Sequence, residues 1–362
     1  MTSTACYAVV LAGGRGERFW PLSTTRTPKQ FLPLFGDKTM LAQAVERLDG
    51  LVPPERIFVI THQDHCAAAQ RATPQLPAAN IVGEPVGRDT GAAVALGGAL
   101  VARHDPEASF AVVTADHVIG EHALFRRTLA DGLELARSEE ALVTIGMRPD
   151  HASTGFGYIE AGAEAWVSDA GNRFFHARRF VEKPDRKKAE GYLASGRYYW
   201  NAGMFMWTVP VLQAAFDRHR PPLAGVLRTL TDVPAAGLDA ALRDLYAGLE
   251  KISIDYAIME QAERVMMAEG RFPWDDVGSW PAWARHFPAD DHGNVVRGRV
   301  ETLDAARNVV IAGDGVTALI GVEDLMVVRA GEALLVCSRD KAQEIKTMVQ
   351  ALAARGDCAD VL

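Results

Sequence analysis

At 362 residues the chain can form one large domain with an appendage, or two domains, and its 48% hydrophobic and 23% charged residues suit a globular core. A net charge of −8 argues against a nucleic-acid binder, and no apolar run reaches the roughly 20 residues that span a bilayer. Four cysteines (Cys6, Cys66, Cys337, Cys358), far apart and without C-x-x-C, argue against a disulfide framework. They read as reduced, mostly buried thiols of a cytoplasmic protein. The start, MTSTACYAVVLAGG, lacks a basic n-region and reads as mature sequence.

Residues 7–11 form an apolar run that reads as a buried first strand. The stretch that follows, 11–31 (LAGGRGERFWPLSTTRTPKQF), holds three glycines and four cations in an acidic protein. Glycines let backbone N–H groups approach an anion, and cations supply its counter-charge, so the stretch reads as a triphosphate cradle. On the glycines alone, a plain strand-to-helix turn with cations in solvent is the simpler account. A helix is expected over 39–48, ended by Gly50, then strands at 56–61 and 80–82. The turn 84–90 leads into a small-residue helix at 91–101. A strand at 110–115 ends at Asp116-His117, a helix covers 124–137, and a fifth strand covers 141–147.

Strands alternating with helices predict a doubly wound, Rossmann-like α/β fold with a mainly parallel sheet. Ligands bind at the carboxyl ends of such strands, which singles out the polar loops 13–29, 84–90 and 116–117. From Thr154 the texture changes. The pieces 154–160, 179–184 and 200–207 read as walls of a pocket built onto the sheet. Helices are expected at 211–220, 238–249 and 255–262, then a loop at 271–280. Past about residue 290, short strands separated by Gly and Asp predict a small β-roll or solenoid-like appendage. A last helix, 340–355, carries Ala342, Ile345, Met348, Val349 and Leu352 on one face, with Gly356 as its C-cap. The expected division is 1–290 and 291–362.

The full opening pattern, G-G-x-G-x-R-F-W-P-L-S followed by P-K-Q-F, resembles the signature of the sugar-phosphate nucleotidylyltransferases. Trp20, and Gln30 after Lys29, make it most similar to the mannose-1-phosphate guanylyltransferase branch. Further matches follow in family order: 113–117 (VTADH), 154–159 (TGFGYI), 180–184 (FVEKP), 200–205 (WNAGMF), 253–257 (SIDYA) and 276–280 (DVGSW). The resemblance covers essentially the whole chain and implies a nucleotide-diphospho-sugar transferase fold. Its implied reaction joins GTP and mannose 1-phosphate into GDP-mannose and pyrophosphate, with Mg²⁺ (or Mn²⁺). The attacking phosphate oxygen is already anionic, so no general base is required, and catalysis is positioning plus charge neutralisation.

The resemblance implies these roles. Arg15, Arg18 and Lys29 take the triphosphate and the developing pyrophosphate, with Lys183 as the fourth catalytic cation. Leu11, Ala12, Gly13 and Gly14 line the nucleotide, and Glu84, Pro85 and Thr90 form the base-recognition turn. Glu84 would accept from guanine N1–H and N2–H. Where the family commonly has Asn-Thr-Ala-Pro, this chain has Asp89-Thr90-Gly91-Ala92, which leaves the purine less defined. Asp116 and Asp276 hold the metal, Asp116 also touching the nucleotide; Gly157, Glu182, Lys183 and Asn201 hold the sugar phosphate.

Arg26 is divided between a supporting role and solvent, while Trp20 and Pro21 read as structural, packing the loop against the sheet. His62 and His65 lack a third zinc ligand nearby in sequence, and His117 reads as a neighbour of Asp116 rather than a base. GTP and mannose 1-phosphate are the expected partners, without nucleic acid or membrane, and a homodimer is left open. Many relatives continue into a phosphomannose isomerase domain, so a monofunctional enzyme is expected. The alternatives are a guanylyltransferase for a glucose or heptose 1-phosphate, and a non-catalytic sugar-nucleotide-binding regulatory paralogue. A dinucleotide dehydrogenase fits poorly, because no acidic residue ends the second strand at Thr61.

Overall fold

The computed structural model describes residues 6–356 and 358–362. Residues 1–5, part of the stretch read above as mature sequence, lie outside the described residues. The chain divides into two compact units. One holds the chain up to Gly13, Ala42–Ala115 and Ile119–Trp274; the other holds Gly14–Leu41, Asp116–Val118 and Asp275–Leu362.

The first unit is built on a nine-stranded sheet. Its order in space is Ile81–Glu84, Ile57–His62, Cys6–Leu11, Ser109–Thr114, Tyr198–Thr208, Leu142–Met147, Val265–Gly270, Arg173–Val181 and Tyr158–Val167. The first four strands are parallel, with Leu11 opposite both Ile60 and Thr114. Their apolar runs are buried on both faces, as a helix-covered parallel sheet requires. Leu142–Met147 and Val265–Gly270 form a second parallel pair. The expected α/β fold is therefore present, with helices such as Asp89–Ala102 packed into the main core.

The three pieces expected as pocket walls are strands of this sheet, and each runs antiparallel to its neighbours. Tyr198–Thr208 inserts between Ser109–Thr114 and Leu142–Met147. Tyr158 pairs with Val181 on one side and with Trp200 on the other. That double pairing brings Gly157, Glu182 and Asn201 to one corner, where the Asn201 N–H donates to the Gly157 carbonyl (2.8 Å). A helix at Pro221–Asp232 was missed, because Pro221-Pro222 reads as a break but occupies the first helical turn, where proline lacks nothing it needs. The segment expected as a helix over 255–262 is a π-turn, Asp255–Met259.

In the second unit, Val295–Leu303, Val309–Ile320 and Leu325–Ala330 stack as a parallel ladder, and Ala333–Ser338 closes it antiparallel. Buried asparagines hold successive coils together. Asn294 Oδ1 accepts from the Asn308 backbone N–H (2.9 Å), and Asn308 Oδ1 accepts from that of Leu325 (2.9 Å). The solenoid-like expectation holds. The terminal helix is Ile345–Arg355 after a 3₁₀ turn at Arg339–Glu344, and Gly356 caps it with φ +79°. Ile345 and Ala342 are buried, but Met348 is exposed, so it leaves the predicted apolar face. The free cysteines are half-buried rather than mostly buried.

Candidate functional site

The second unit gathers the charged residues of the opening loop. Gly16 has φ +59°, and a Cβ on it would lie 2.5 Å from the Lys29 Cβ, so only glycine lets the loop close over that lysine. Lys29 is 4% exposed and spends its three donors locally. Its Nζ donates to the Asp116 carbonyl (2.8 Å), to Asp116 Oδ2 (3.1 Å) and to the Asp276 carbonyl (2.8 Å). Arg18 donates to the Gly278 carbonyl (3.3 Å). These residues and the exposed Arg15 line a cavity of about 280 Å³.

The two aspartates differ. The Asp116 side chain is 37% exposed; what burial it has works against its charge, but Lys29 and His117 outweigh that and hold its carboxyl below the ordinary range. Asp276 shifts the other way. Burial pushes its carboxyl up to about 6, with Asp275 and Asp116 adding repulsion against the pull of Lys29. Two carboxylates that repel each other across a buried ammonium make a donor set that suits a divalent cation. Such an ion takes one or two carboxylates and completes its shell with phosphate oxygens and water. Asp275, the competitor for the metal role, is engaged elsewhere. Burial notwithstanding, His286, Arg285 and the Val277 N–H hold it near 2.

Trp20 is structural, but in the core of this second unit, with Trp280 and Trp283. Its Nε1 donates to the Val361 carbonyl (2.8 Å), and the Thr25 hydroxyl donates to that of Leu362 (2.7 Å). Arg26 is exposed. Sequence reasoning missed Lys346, which lines the same cavity from the terminal helix and sits 3.7 Å from Glu17. No local motif marks it.

The first unit holds the remaining candidates in two groups. Leu11, Ala12 and Gly13 continue the first strand, with the Thr61 hydroxyl donating to the Ala12 carbonyl (2.9 Å); Gly14 begins the other unit. Glu84 ends its strand 7% exposed, and its Oε1 has no hydrogen-bond partner. Burial pushes its carboxyl up to about 7, the Tyr246 hydroxyl opposing and Asp89 assisting. Asp89 takes φ +68°, and its Oδ1 accepts from the Thr90 N–H (2.8 Å) at the helix start. Pro85 is partly exposed beside them.

At the other group, a Cβ on Gly157 would strike the Glu182 carboxylate, which would have to shift to admit it. Lys183 donates to Glu182 Oε1 (2.7 Å) and is held at φ +43°, a conformation costing about 1–3 kcal/mol that clusters at ligand sites. Partial burial works against its charge, but the Glu182 bond prevails and raises its affinity for a proton. Asn201 completes the corner and donates to Asp255, a residue singled out in sequence without a role. The His62 and His65 rings lie 5.9 Å apart and tilted by 56°, and no group of three or more metal-ligating side chains occurs among the described residues. Among those residues no helix is long and apolar enough to cross a membrane.

A nucleotidyl transferase family model matches residues 7–292, and a MannoseP isomerase/GMP-like beta-helix domain matches residues 298–352. A mannose-1-phosphate guanylyltransferase of Klebsiella pneumoniae is 36% identical over 348 residues, covering 95% of this chain and 73% of the relative. A solved structure described as a mannose-1-phosphate geranyltransferase, from Thermus thermophilus, superposes with a TM-score of 0.86 at 41% identity, over 96% of this chain and 99% of that one. A mannose-6-phosphate isomerase from Helicobacter pylori superposes with a TM-score of 0.59 at 26% identity, over 75% of this chain and 99% of that one.

Proposed function

We propose that this chain, which belongs to the nucleotidyl transferase family, transfers GMP from GTP to α-D-mannose 1-phosphate, giving GDP-mannose and pyrophosphate. One observation carries the reaction class: Arg15, Arg18 and Lys29 share a cavity with Asp116 and Asp276 in a chain of net charge −8. Its similarity to mannose-1-phosphate guanylyltransferases supports the choice of base and sugar.

In this reading a phosphate oxygen of the sugar attacks the α-phosphorus. A new P–O bond forms there, the bond to the bridging oxygen breaks, and that oxygen leaves with pyrophosphate. Arg15 and Arg18 bind the leaving phosphates. Lys29 holds Asp116 and the Asp276 backbone in place and adds positive charge where negative charge grows, the effect that dominates such transfers. Asp116 and Asp276 would hold Mg²⁺ or Mn²⁺, and the bound ion supplies further charge neutralisation at the phosphates. Glu84 and Thr90 meet the base, while Gly157, Glu182, Lys183 and Asn201 orient the sugar phosphate. The assignment of residues 1–290 as the catalytic domain, with 291–362 as an appendage, belongs to this reading, as does a cytoplasmic setting.

Purified protein with Mg²⁺ should release pyrophosphate from GTP and mannose 1-phosphate, and Asp116→Ala should abolish that turnover while remaining folded. No pyrophosphate from GTP with any hexose 1-phosphate overturns the reading. Faster turnover of glucose or heptose 1-phosphate would move the sugar assignment. GDP-mannose binding without turnover would favour a regulatory paralogue.

A further inference from the structure

The Asn201 amide is held at two points. Its Nδ2 donates to Asp255 Oδ1 at 2.6 Å, and its Oδ1 accepts from the Gly203 N–H (3.1 Å), while the nearby Thr144 hydroxyl gives its one hydrogen to the Met204 carbonyl (3.0 Å). Flipping the amide would set its oxygen against a carboxylate and its NH₂ against an N–H, so one orientation is enforced. An amide nitrogen carries two hydrogens, and the Asp255 bond uses one. The other has no partner among the described residues.

Asp255 opens the π-turn Asp255–Met259, a form frequent at functional sites. It makes no ion pair among the described residues. Burial pushes its carboxyl up to about 6, with Glu182 and Glu260 adding repulsion and Asn201 resisting. The fold therefore tolerates a carboxyl there at a cost. An acceptor-only group is what removes the ambiguity from Asn201; a neutral amide at 255 could pair either way round.

The turn is also anchored. Ile254 N–H donates to Thr90 Oγ1 (2.9 Å), Ile252 N–H to the Arg88 carbonyl (3.3 Å), and Gly91 N–H to the Ile252 carbonyl (3.0 Å). A Cβ on Gly91 would approach that carbonyl to 2.8 Å, which accounts for glycine where the family commonly has alanine.

We propose that Asp255 is a positioning residue for sugar recognition: it locks the Asn201 amide so that the second N–H is offered to a hydroxyl of the hexose 1-phosphate. This rests on the sugar site proposed above. In steady-state assays, Asp255→Ala should raise the KM for mannose 1-phosphate about tenfold, with kcat within threefold and the KM for GTP within twofold. Asn201→Ala should do the same, and the double variant should be no worse than either, because one residue acts through the other. Asp255→Asn, which keeps one acceptor oxygen, should give about a threefold rise.

An unchanged sugar KM, equal shifts in both KM values, or additive effects in the double variant overturn the proposal. If Asp255→Ala does not fold, Asp255→Asn decides: no change in its sugar KM is refutation. If the wild-type protein turns nothing over, the parent reading fails. Calorimetric binding of mannose 1-phosphate then decides this one, supported by a tenfold loss in Asp255→Ala and overturned by equal affinity.

Discussion

Replacing Glu84 with glutamine keeps the shape of the side chain and removes its charge. Glu84 is 7% exposed, and burial lifts its carboxyl from an ordinary 4.5 to about 7. At 1.36 kcal/mol per tenfold change in proton affinity, ionising it inside the fold costs about 3 kcal/mol. Between pH 4.5 and 7 the unfolded chain has released this proton while the folded chain retains it. The unfolded state then binds fewer protons, so this group's contribution to stability falls as pH rises through that window and levels off above about 7. Glutamine escapes the loss. Urea unfolding followed by tryptophan fluorescence should show the variant gaining on the wild type by about 3 kcal/mol from pH 4.5 to pH 8. A constant offset between the two proteins reflects the substitution itself and is immaterial. A gap that fails to widen with pH, or widens toward acid, would refute the reasoning.

Lys29→Met strips the ammonium from Asp116 and from the Asp276 carbonyl. Its kcat for pyrophosphate release should drop more than 100-fold, a scale set by lost charge stabilisation of the transition state. Its unfolding free energy should fall by at most the low end of the about 3–5 kcal/mol that breaking a buried ion pair costs, because Asp116 is partly in solvent. Wild-type kcat in that variant would remove Lys29 from the chemistry. Gly157→Ala drives a methyl into the Glu182 carboxylate and should raise the KM for sugar 1-phosphate about tenfold without changing that for GTP. Equal KM values for both proteins would show that Glu182 can move aside at no cost.

Much of the site was legible in sequence because its residues follow strands directly. Asp116 comes two residues after Thr114, and Glu84 is the last residue of its own strand, so chain order and the carboxyl-end rule located them. The antiparallel strands were harder. That Tyr198–Thr208 inserts between Ser109–Thr114 and Leu142–Met147 depends on pairings between residues far apart, which local periodicity does not encode. The tie between Asp255 and Asn201 was hidden for the same reason, since the two lie 54 residues apart. Lys346 was hidden too, an ordinary helical lysine until the fold carries it to the cavity.

The hydrogen bonds from Trp20 to Val361 and from Thr25 to Leu362 span 341 and 337 residues. A ribosome adding about 5–20 residues per second separates the making of such partners by ~20–70 s. Through that interval the opening loop exists without these two acceptors, and contacts this distant in sequence are among the slowest to form. During translation the loop therefore waits on Val361 and Leu362 for its support. The loop proposed to cradle the triphosphate gains these two anchors only after both residues have been made, long after the loop itself.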